Sequence, residues 1–190
     1  MNICKKGLAR IIVQNIVDKL NALESLGNIK WNISEEDKQA NYRSWAKMTL
    51  KNILEADEPD VIEHVFMGQF DGSSKPNPGE MKIGGYIKSL ADMDNTISTF
   101  SLDKGYGTNN RAEYLALIEL LKMSITKGIK RINIYGDSKI VIMQVNGKWK
   151  ANKDMAPLRD QAVYLLDQFD HWSLSHVPRE LNSEADSLTR

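Results

Sequence analysis

Four acidic residues lie where predicted strands and helices begin or end, so their side chains can converge above one edge of a sheet. Carboxylate oxygens are hard ligands that suit Mg²⁺, a cation that needs only a few of them and keeps several of its waters. Without a cation, clustered carboxylates repel one another and raise at least one pKa, so such a cluster is a poor structural choice. The four residues are Asp71 and Asp137, each after a strand, Glu113 in the first turn of a long helix, and Asp186 in the last helix.

Each of these residues also has a structural explanation. Asp71-Gly72 is a typical turn dipeptide, and Asp137 can cap the helix that follows it. The segments Asn110 to Glu113 and Ser183 to Asp186 resemble helix capping boxes. Because helix starts favour Asp and Glu through the macrodipole, any one of the four, taken alone, favours a structural role.

The chain after residue 60 predicts the elements that could position these carboxylates. Runs of β-prone residues predict strands over 65–70, 83–90, 96–102, 131–135 and 172–177. A helical period predicts helices over 111–126 and 157–169, another opening near Ser138 and a last short helix. This order indicates an α/β domain in which helices flank a mixed sheet.

Residues 1–60 predict a different unit, a small helical hairpin of unknown role. Apolar residues three or four apart form one amphipathic helix over 8–26, and a second stripe runs from Tyr42 to Ile53. Pro59 ends the helical pattern, so we divide the chain into 1–60 and 61–190. The hairpin is too small to bury both faces alone, which leaves docking on the rest of the chain, a homodimer or a protein partner through residues 1–56 open.

Composition narrows the class of protein. The 190 residues include 25 Lys plus Arg and 25 Asp plus Glu, so any contact with nucleic acid must use a local basic patch. The single cysteine cannot pair within the chain. No run of about 18 apolar residues is present, which excludes a membrane-spanning helix. We expect a cytoplasmic protein with no membrane partner.

The sequences around the acidic residues change their interpretation. The segment 71–79 reads Asp-Gly-Ser-Ser-Lys-Pro-Asn-Pro-Gly and precedes Gly84-Gly85, and the segment 108–113 reads Thr-Asn-Asn-Arg-Ala-Glu. After them come Gly136-Asp137-Ser138, then His176, Asn182 and Ala185-Asp186. In this order these segments resemble the motifs of type 1 ribonuclease H, over residues 64–190.

The resemblance implies a ribonuclease H-like fold, with a mixed five-stranded sheet flanked by helices in the order β-β-β-α-β-α-β-α. It implies an endonuclease that hydrolyses the RNA strand of RNA/DNA hybrids without sequence specificity and leaves 5′-phosphate and 3′-hydroxyl ends. Two Mg²⁺ ions, for which Mn²⁺ can substitute, would stabilise the attacking and leaving oxygens. The metal-binding catalytic carboxylates that the resemblance implies are Asp71, Glu113, Asp137 and Asp186.

His176 precedes Asp186 by ten residues. In this family that spacing implies an auxiliary histidine near the scissile phosphate, acting in proton transfer or product release. The alternative is a strand histidine on the same side as Trp172 and Leu174, satisfied by a hydrogen bond.

The resemblance also implies a set of substrate contacts. Small residues let backbone amides reach the RNA 2′-hydroxyl, and Asn side chains probe the minor groove. The structural alternatives are a simple turn at 77–79 and a helix N-cap at Asn110. Lys139 stands where better-known relatives carry Gln, which would replace a base-edge contact with a phosphate contact. The set is Gly72, Ser73, Asn77, Asn109, Asn110, Ser138, Lys139 and Asn182.

The connection between residues 140 and 159 is compact, whereas many bacterial members of the family insert a long basic helix and loop there. Lys148, Trp149, Lys150 and Lys153 remain. Aromatic and basic side chains can stack on a sugar and neutralise phosphates, but a solvated loop with one packing tryptophan explains them equally well.

Two functions other than a ribonuclease are compatible with a ribonuclease H-like fold. One is a catalytically silent ribonuclease H-like module that binds nucleic acid or acts as a scaffold through its helical extension. The other is a relative that cleaves another nucleic acid, such as a DNA recombination nuclease. The four filled acidic positions favour the enzyme over the silent module, and the intact motifs at 71–73 and 109–113 argue against the recombination nuclease.

Overall fold

The computed structural model describes residues 65–90, 92 and 95–190. They belong to the second of the two units into which the chain divides, His64–Arg190. The predicted helical hairpin, the boundary near residue 60 and the suggested partner surface on residues 1–56 all lie outside the described residues.

Five strands form one mixed sheet, as the sequence predicts. They are β1 (Val65–Lys75), β2 (Gly79–Ser89), β3 (Thr96–Gly107), β4 (Arg131–Gly136) and β5 (His171–His176). Their spatial order is β3-β2-β1-β4-β5. The β1–β2 and β2–β3 pairs are antiparallel, and β4 runs parallel to both β1 and β5. The carboxyl ends of β1 and β4 therefore meet at the same edge of the sheet.

The first three strands extend further than the sequence predicts. Polar residues after Phe70 and Leu102 interrupt the apolar pattern, yet β1 keeps its pairing with β2 as far as Lys75. The edge strand β3 is largely exposed and continues to Gly107 without needing an apolar face. Asp71-Gly72 consequently lies inside β1, and the turn suggested as its structural explanation is wrong.

The described residues form four α-helices: α1 (Asn109–Thr126), α2 (Lys139–Val145), α3 (Ala156–Leu166) and α4 (Ser183–Ser187), the last preceded by a 3₁₀ turn, Arg179–Asn182. The hydroxyl of Thr108 caps α1 by accepting a hydrogen bond from the backbone N–H of Arg111 at 3.3 Å. The cap is therefore Thr108, and the suggested cap at Asn110 is wrong.

The two faces of the sheet carry different elements. Successive residues of a strand point to opposite faces. On β1, Gly72 faces the backbone of α1, whereas Ser73 donates a hydrogen bond to the carbonyl of Thr189. The apolar core lies on the α1 face, where residues such as Phe70, Ile83 and Leu117 are fully buried. The opposite face holds α4 and the residues that follow it.

None of the helices in the described part of the chain is both long enough and apolar enough to span a bilayer.

Gly72 allows α1 to begin directly above β1. A Cβ at this position would lie 2.3 Å from the carbonyl carbon of Ala112 and from the backbone nitrogen of Glu113. Contacts this short involve backbone on both sides, so no side-chain rotation can relieve them. The glycine thus sets the position of Glu113 relative to β1.

We expect Gly72→Ala to lower the free energy of unfolding by about 3 kcal/mol, at the upper end of typical overpacking costs, because α1 must move away from the sheet. Gly105→Ala is the matched control, since its Cβ would meet open space and only the φ of +69° opposes it. That control should cost about 1–2 kcal/mol. Urea unfolding measures both, and a Gly72→Ala loss no greater than that of the control would contradict the steric explanation.

Candidate active site

Three carboxylates from three different elements meet at one edge of the sheet. Asp71 lies in β1, Glu113 near the start of α1, and Asp137 directly after β4. One ligand oxygen from each residue lies within 4.8 Å of the others. The neighbouring parallel strands bring Asp71 and Asp137 together, and the close approach of α1 at Gly72 adds Glu113.

Asp186, the fourth predicted ligand, is held differently. Its Oδ1 accepts a hydrogen bond from Arg179 Nη2 at 2.7 Å, and its Oδ2 accepts from Arg190 Nε at 2.8 Å and from Arg190 Nη2. The Asp186 side chain is buried while both guanidinium groups are largely exposed. The structure thus brings three of the four predicted carboxylates into one group and places the fourth in a double ion pair beside it.

The four carboxylates have pKa values shifted in opposite directions. Burial raises the pKa of Glu113 well above its usual range, and the charges of Asp71 and Asp137 raise it further. Burial also raises the pKa of Asp71 and that of Asp137. Burial acts in the same sense on Asp186, but hydrogen bonds and charges from the two arginines outweigh it and lower the pKa of that carboxyl. The rise expected for a clustered set without a cation is therefore present at three residues.

The group of three fits a divalent cation. Glu113 Oε2 is buried and has no hydrogen-bond partner among the described residues. A buried carboxylate oxygen without a partner is costly, and a bound cation would remove that cost. Three converging carboxylate oxygens are the ligand type that a hard divalent cation prefers.

The structural explanations for these acidic residues are not realised in the described part of the chain. The N-cap residue of α2, Ser138, makes no side-chain capping bond, and neither does Asn182 at the start of α4. The helix that carries Glu113 is capped by Thr108 instead. The acidic residues therefore do not act as caps or turn residues here.

His176 ends β5 and lies beside the group of three. Its Nε2 is 3.2 Å from the carbonyl oxygen of Asp137, to which it can donate a hydrogen bond. Burial lowers the pKa of His176, the charge of Lys139 lowers it further, and the hydrogen bond at Asp137 opposes both. The residue as a whole is exposed, so its ring remains open to solvent and to a ligand at this edge.

Two predicted substrate residues, Asn77 in the turn after β1 and Asn109 at the start of α1, are joined by hydrogen bonds near the carboxylates. Asn109 Oδ1 accepts from the backbone N–H of Ser74 at 2.6 Å, and Asn77 Oδ1 accepts from the backbone N–H of Asn109 at 3.1 Å. Ser74 Oγ in turn lies 2.7 Å from the carbonyl oxygen of Gly107. Asn77 and Asn109 are both exposed, and the bonds fix their side-chain oxygens.

The remaining predicted substrate residues differ in exposure. Asn110 and Lys139 are exposed at the starts of α1 and α2, and Ser138 is half-buried. Asn182 is fully buried, with its amide donating to the carbonyl of Phe70 at 2.9 Å and to Asp137 Oδ1 at 3.4 Å. These bonds position Asp137, and the predicted contact of Asn182 with substrate stays a prediction.

Three residues at the site were not predicted: Arg179, Thr189 and Arg190. Arg190 follows Asp186 by four residues, a helical acid–base spacing that could have indicated the ion pair. Thr189 Oγ1 lies 2.6 Å from Asp71 Oδ2, a contact between residues 118 apart in sequence. No local pattern signals such a contact.

Comparison with known proteins agrees with this geometry. Residues 69–190 match the family model described as reverse transcriptase-like. The chain is 40% identical over 125 residues to ribonuclease HI of Halobacterium salinarum, a match that covers 63% of this chain and 59% of that relative. The crystal structure of RNase H1 from H. salinarum superposes with a TM-score of 0.63 at 38% identity, over 66% of this chain and 94% of that one.

A second similar solved structure contains a bound nucleic acid. LC11-RNase H1 in complex with an RNA/DNA hybrid superposes with a TM-score of 0.60 at 28% identity, over 65% of this chain and 93% of that one. The chain spans less than two thirds of the first curated relatives, 59% of the H. salinarum protein and 32% of a bifunctional protein of Mycobacterium tuberculosis. The matched residues contain β1 from Gln69 onward, the other four strands and all four predicted carboxylates. Sheet order, motif order and matched residues agree, and the chain belongs to the type 1 ribonuclease H family.

Proposed function

We propose that residues 61–190 form the catalytic unit of an endoribonuclease that hydrolyses the RNA strand of RNA/DNA hybrids, and that residues 1–60 are a separate extension. The observation that carries the proposal is the convergence of Asp71, Glu113 and Asp137 within 4.8 Å, with one buried carboxylate oxygen left without a partner among the described residues. The relative solved with an RNA/DNA hybrid supports the substrate class.

The carboxylates would hold two Mg²⁺ ions, or Mn²⁺ in their place, which when bound stabilise negative charge on the oxygens flanking phosphorus. Asp71, Glu113 and Asp137 supply the convergent ligands, and Asp186 lies beside them as the fourth. Asn182 donates to Asp137 from below and keeps that side chain in place. The products expected are 5′-phosphate and 3′-hydroxyl ends.

Substrate recognition is assigned to the exposed residues next to this site, beginning with Asn77 and Asn109. Because the side-chain oxygens of Asn77 and Asn109 accept backbone hydrogen bonds and both residues are exposed, their amide nitrogens would serve as donors to the substrate. Acceptors on base edges are present in the minor groove at every base pair, so donors alone do not distinguish sequences. Ser73, Asn110, Ser138 and Lys139 complete the contact surface in this proposal, with Lys139 on a phosphate. Gly72 is buried beneath α1 and would contribute its backbone alone.

His176 is assigned a proton-transfer or product-release role. The residue is exposed, its ring lies beside the backbone of Asp137, and its lowered pKa keeps the imidazole neutral over more of the pH range. A neutral imidazole can accept a proton and later release it.

A catalytically silent module has less support than the enzyme. A scaffold or binding protein gains nothing from a buried carboxylate such as Glu113, whose pKa is raised well above its usual range and whose Oε2 has no partner in the described part of the chain. The experiment that tests the proposed function is cleavage of labelled RNA/DNA hybrid, duplex RNA and duplex DNA with Mg²⁺, Mn²⁺ or neither. Cleavage of the RNA strand of the hybrid alone, dependent on metal, is expected.

We expect Asp71→Asn to nearly abolish hybrid cleavage, with a loss larger than the roughly 10–100-fold typical of residues outside the metal ligands. The substitution removes the charge of a metal ligand without changing its shape. Asp170→Asn is the matched control because Asp170 is exposed and lies before β5. Full activity of Asp71→Asn with both metals supplied would show that the carboxylate assignment is wrong.

The opposite pKa shifts predict opposite effects of pH on stability without metal. The pKa of Glu113 is raised in the folded protein, so its contribution is fully present below the ordinary Glu pKa of about 4.3 and is lost as the pH rises through the folded pKa. The pKa of Asp186 is lowered, so its contribution is present above the ordinary Asp pKa of about 3.9 and is lost as the pH falls.

At pH 7 with a chelator, Glu113→Gln should therefore raise the free energy of unfolding, and Asp186→Asn should lower it. Urea unfolding between pH 4.5 and 8 provides the measurement, and Glu113→Gln should also flatten the decline with rising pH. Changes of the same sign in the two variants would refute the proposed division between a repelled and an ion-paired carboxylate.

His176→Ala should lower kcat by about 10²-fold, at the low end of the range for a positioned proton-transfer group. Its affinity for metal should stay close to wild type, because the ring contacts a backbone carbonyl and no carboxylate. Steady-state cleavage and a metal titration separate the two quantities. An unchanged kcat would favour the structural role for this histidine.

A further inference from the structure

Residues 188–190 follow α4 and lie across three strands of the sheet. Their carbonyl oxygens accept, in order, from Ser101 Oγ on β3 at 2.7 Å, Ser73 Oγ on β1 at 3.1 Å and Lys82 Nζ on β2 at 2.8 Å. Each residue of the segment is thus bonded to a different strand. The segment contacts two of the carboxylates, Asp71 through Thr189 and Asp186 through Arg190.

Thr189 is the buried member of this segment, with 4% of its surface exposed. Its Oγ1 lies 2.6 Å from Asp71 Oδ2 and 2.9 Å from the carbonyl oxygen of Asp186. A hydroxyl has one proton to donate, and a bond to a charged carboxylate is shorter and about twice as strong as a bond to a neutral acceptor. The hydroxyl therefore donates chiefly to Asp71 while it lies against the backbone of the helix that carries Asp186.

We propose, on the basis of the proposed function, that Thr189 is a positioning residue for the metal site. Its hydroxyl holds one oxygen of Asp71 and so orients the carboxylate toward the oxygens of Glu113 and Asp137. Partners of this kind fix the orientation of a metal ligand, and their loss typically costs about 10–100-fold in metal affinity or activity. Thr189 also couples β1 to the helix that carries Asp186, because one hydroxyl contacts both.

A purely structural role for Thr189 makes a different prediction. If the side chain only fills space, Thr189→Val keeps the shape and the metal site is unaffected. If the hydroxyl orients Asp71, Thr189→Val weakens metal binding and Thr189→Ser retains it. Ser and Ala form a second pair at this position, with nearly equal volume and only the hydroxyl between them.

The experiment is a titration of the full chain with Mn²⁺ alone, without nucleic acid, by calorimetry and by the electron paramagnetic resonance of free Mn²⁺. Thr189→Val and Thr189→Ala should bind Mn²⁺ about 10-fold or more weakly than wild type, and Thr189→Ser should bind close to wild type. Ser124→Ala is the matched control. Ser124 is fully buried and its hydroxyl donates to the carbonyl of Leu120 at 2.8 Å, within α1.

Wild-type Mn²⁺ affinity in Thr189→Val would overturn the proposal, as would an equal loss in Ser124→Ala. If circular dichroism shows that Thr189→Val does not fold, the comparison of Thr189→Ser with Thr189→Ala decides the question by the same criterion. Hybrid cleavage by the wild type is measured in parallel. Weaker Mn²⁺ binding in Thr189→Val, together with a wild type that cleaves no hybrid, refutes the proposed function alone. Hybrid cleavage by the wild type, together with unaltered Mn²⁺ affinity in Thr189→Val, refutes the positioning role alone.

Discussion

The arrangement of this domain depends on holding like charges together at a site where they are partly removed from water. The ligand oxygens of Asp71, Glu113 and Asp137 lie within 4.8 Å of one another. At about 4 Å and an effective dielectric constant of about 20, two unit charges interact by roughly 4 kcal/mol, which is comparable to the total stability of many domains. Burial is the main cause of the raised pKa values at all three residues, and the charges of neighbouring carboxylates raise them further. The sheet and the helices packed on it must therefore supply the free energy that keeps the carboxylates in place.

The site is held from both faces of the sheet. On one face, Gly72 lets the backbone of α1 approach β1, and this places Glu113. On the other face, the amide of Gln69 donates to the carbonyl of Leu181 at 3.0 Å, and the hydroxyl of Tyr86 donates to the same Gln69 side chain. The first bond ties the 3₁₀ turn to β1 and the second ties Gln69 to β2. The same turn ends at Asn182, which donates to Asp137. Apolar packing sets one side of the carboxylate group and a polar network sets the other.

The sequence predicts the elements well where a local period exists. All five strands and the helix from Asn109 to Thr126 were expected close to where they occur, because apolar spacing reflects which face of an element is buried. The extension of β3 to Gly107 was missed because an exposed edge strand has no such period. The neighbours of Asp71 and Asp186 were missed because they come from distant segments or from the chain after the last predicted helix. The hydrogen bond between Asp71 and Thr189 joins residues 118 apart, and only the tertiary fold defines it.

The four carboxylate side chains take two electrostatic roles at a single site. Asp186 stays ionised because two guanidinium groups outweigh its burial, so it contributes a charge that is already balanced. Asp71, Glu113 and Asp137 carry charge that the protein balances only in part, through Arg179 and a few hydrogen bonds. A divalent cation gains most where the protein's own compensation is least, which is at Glu113. The three residues with raised pKa values are therefore those whose charge a cation would offset, whereas the arginines already offset the charge of Asp186.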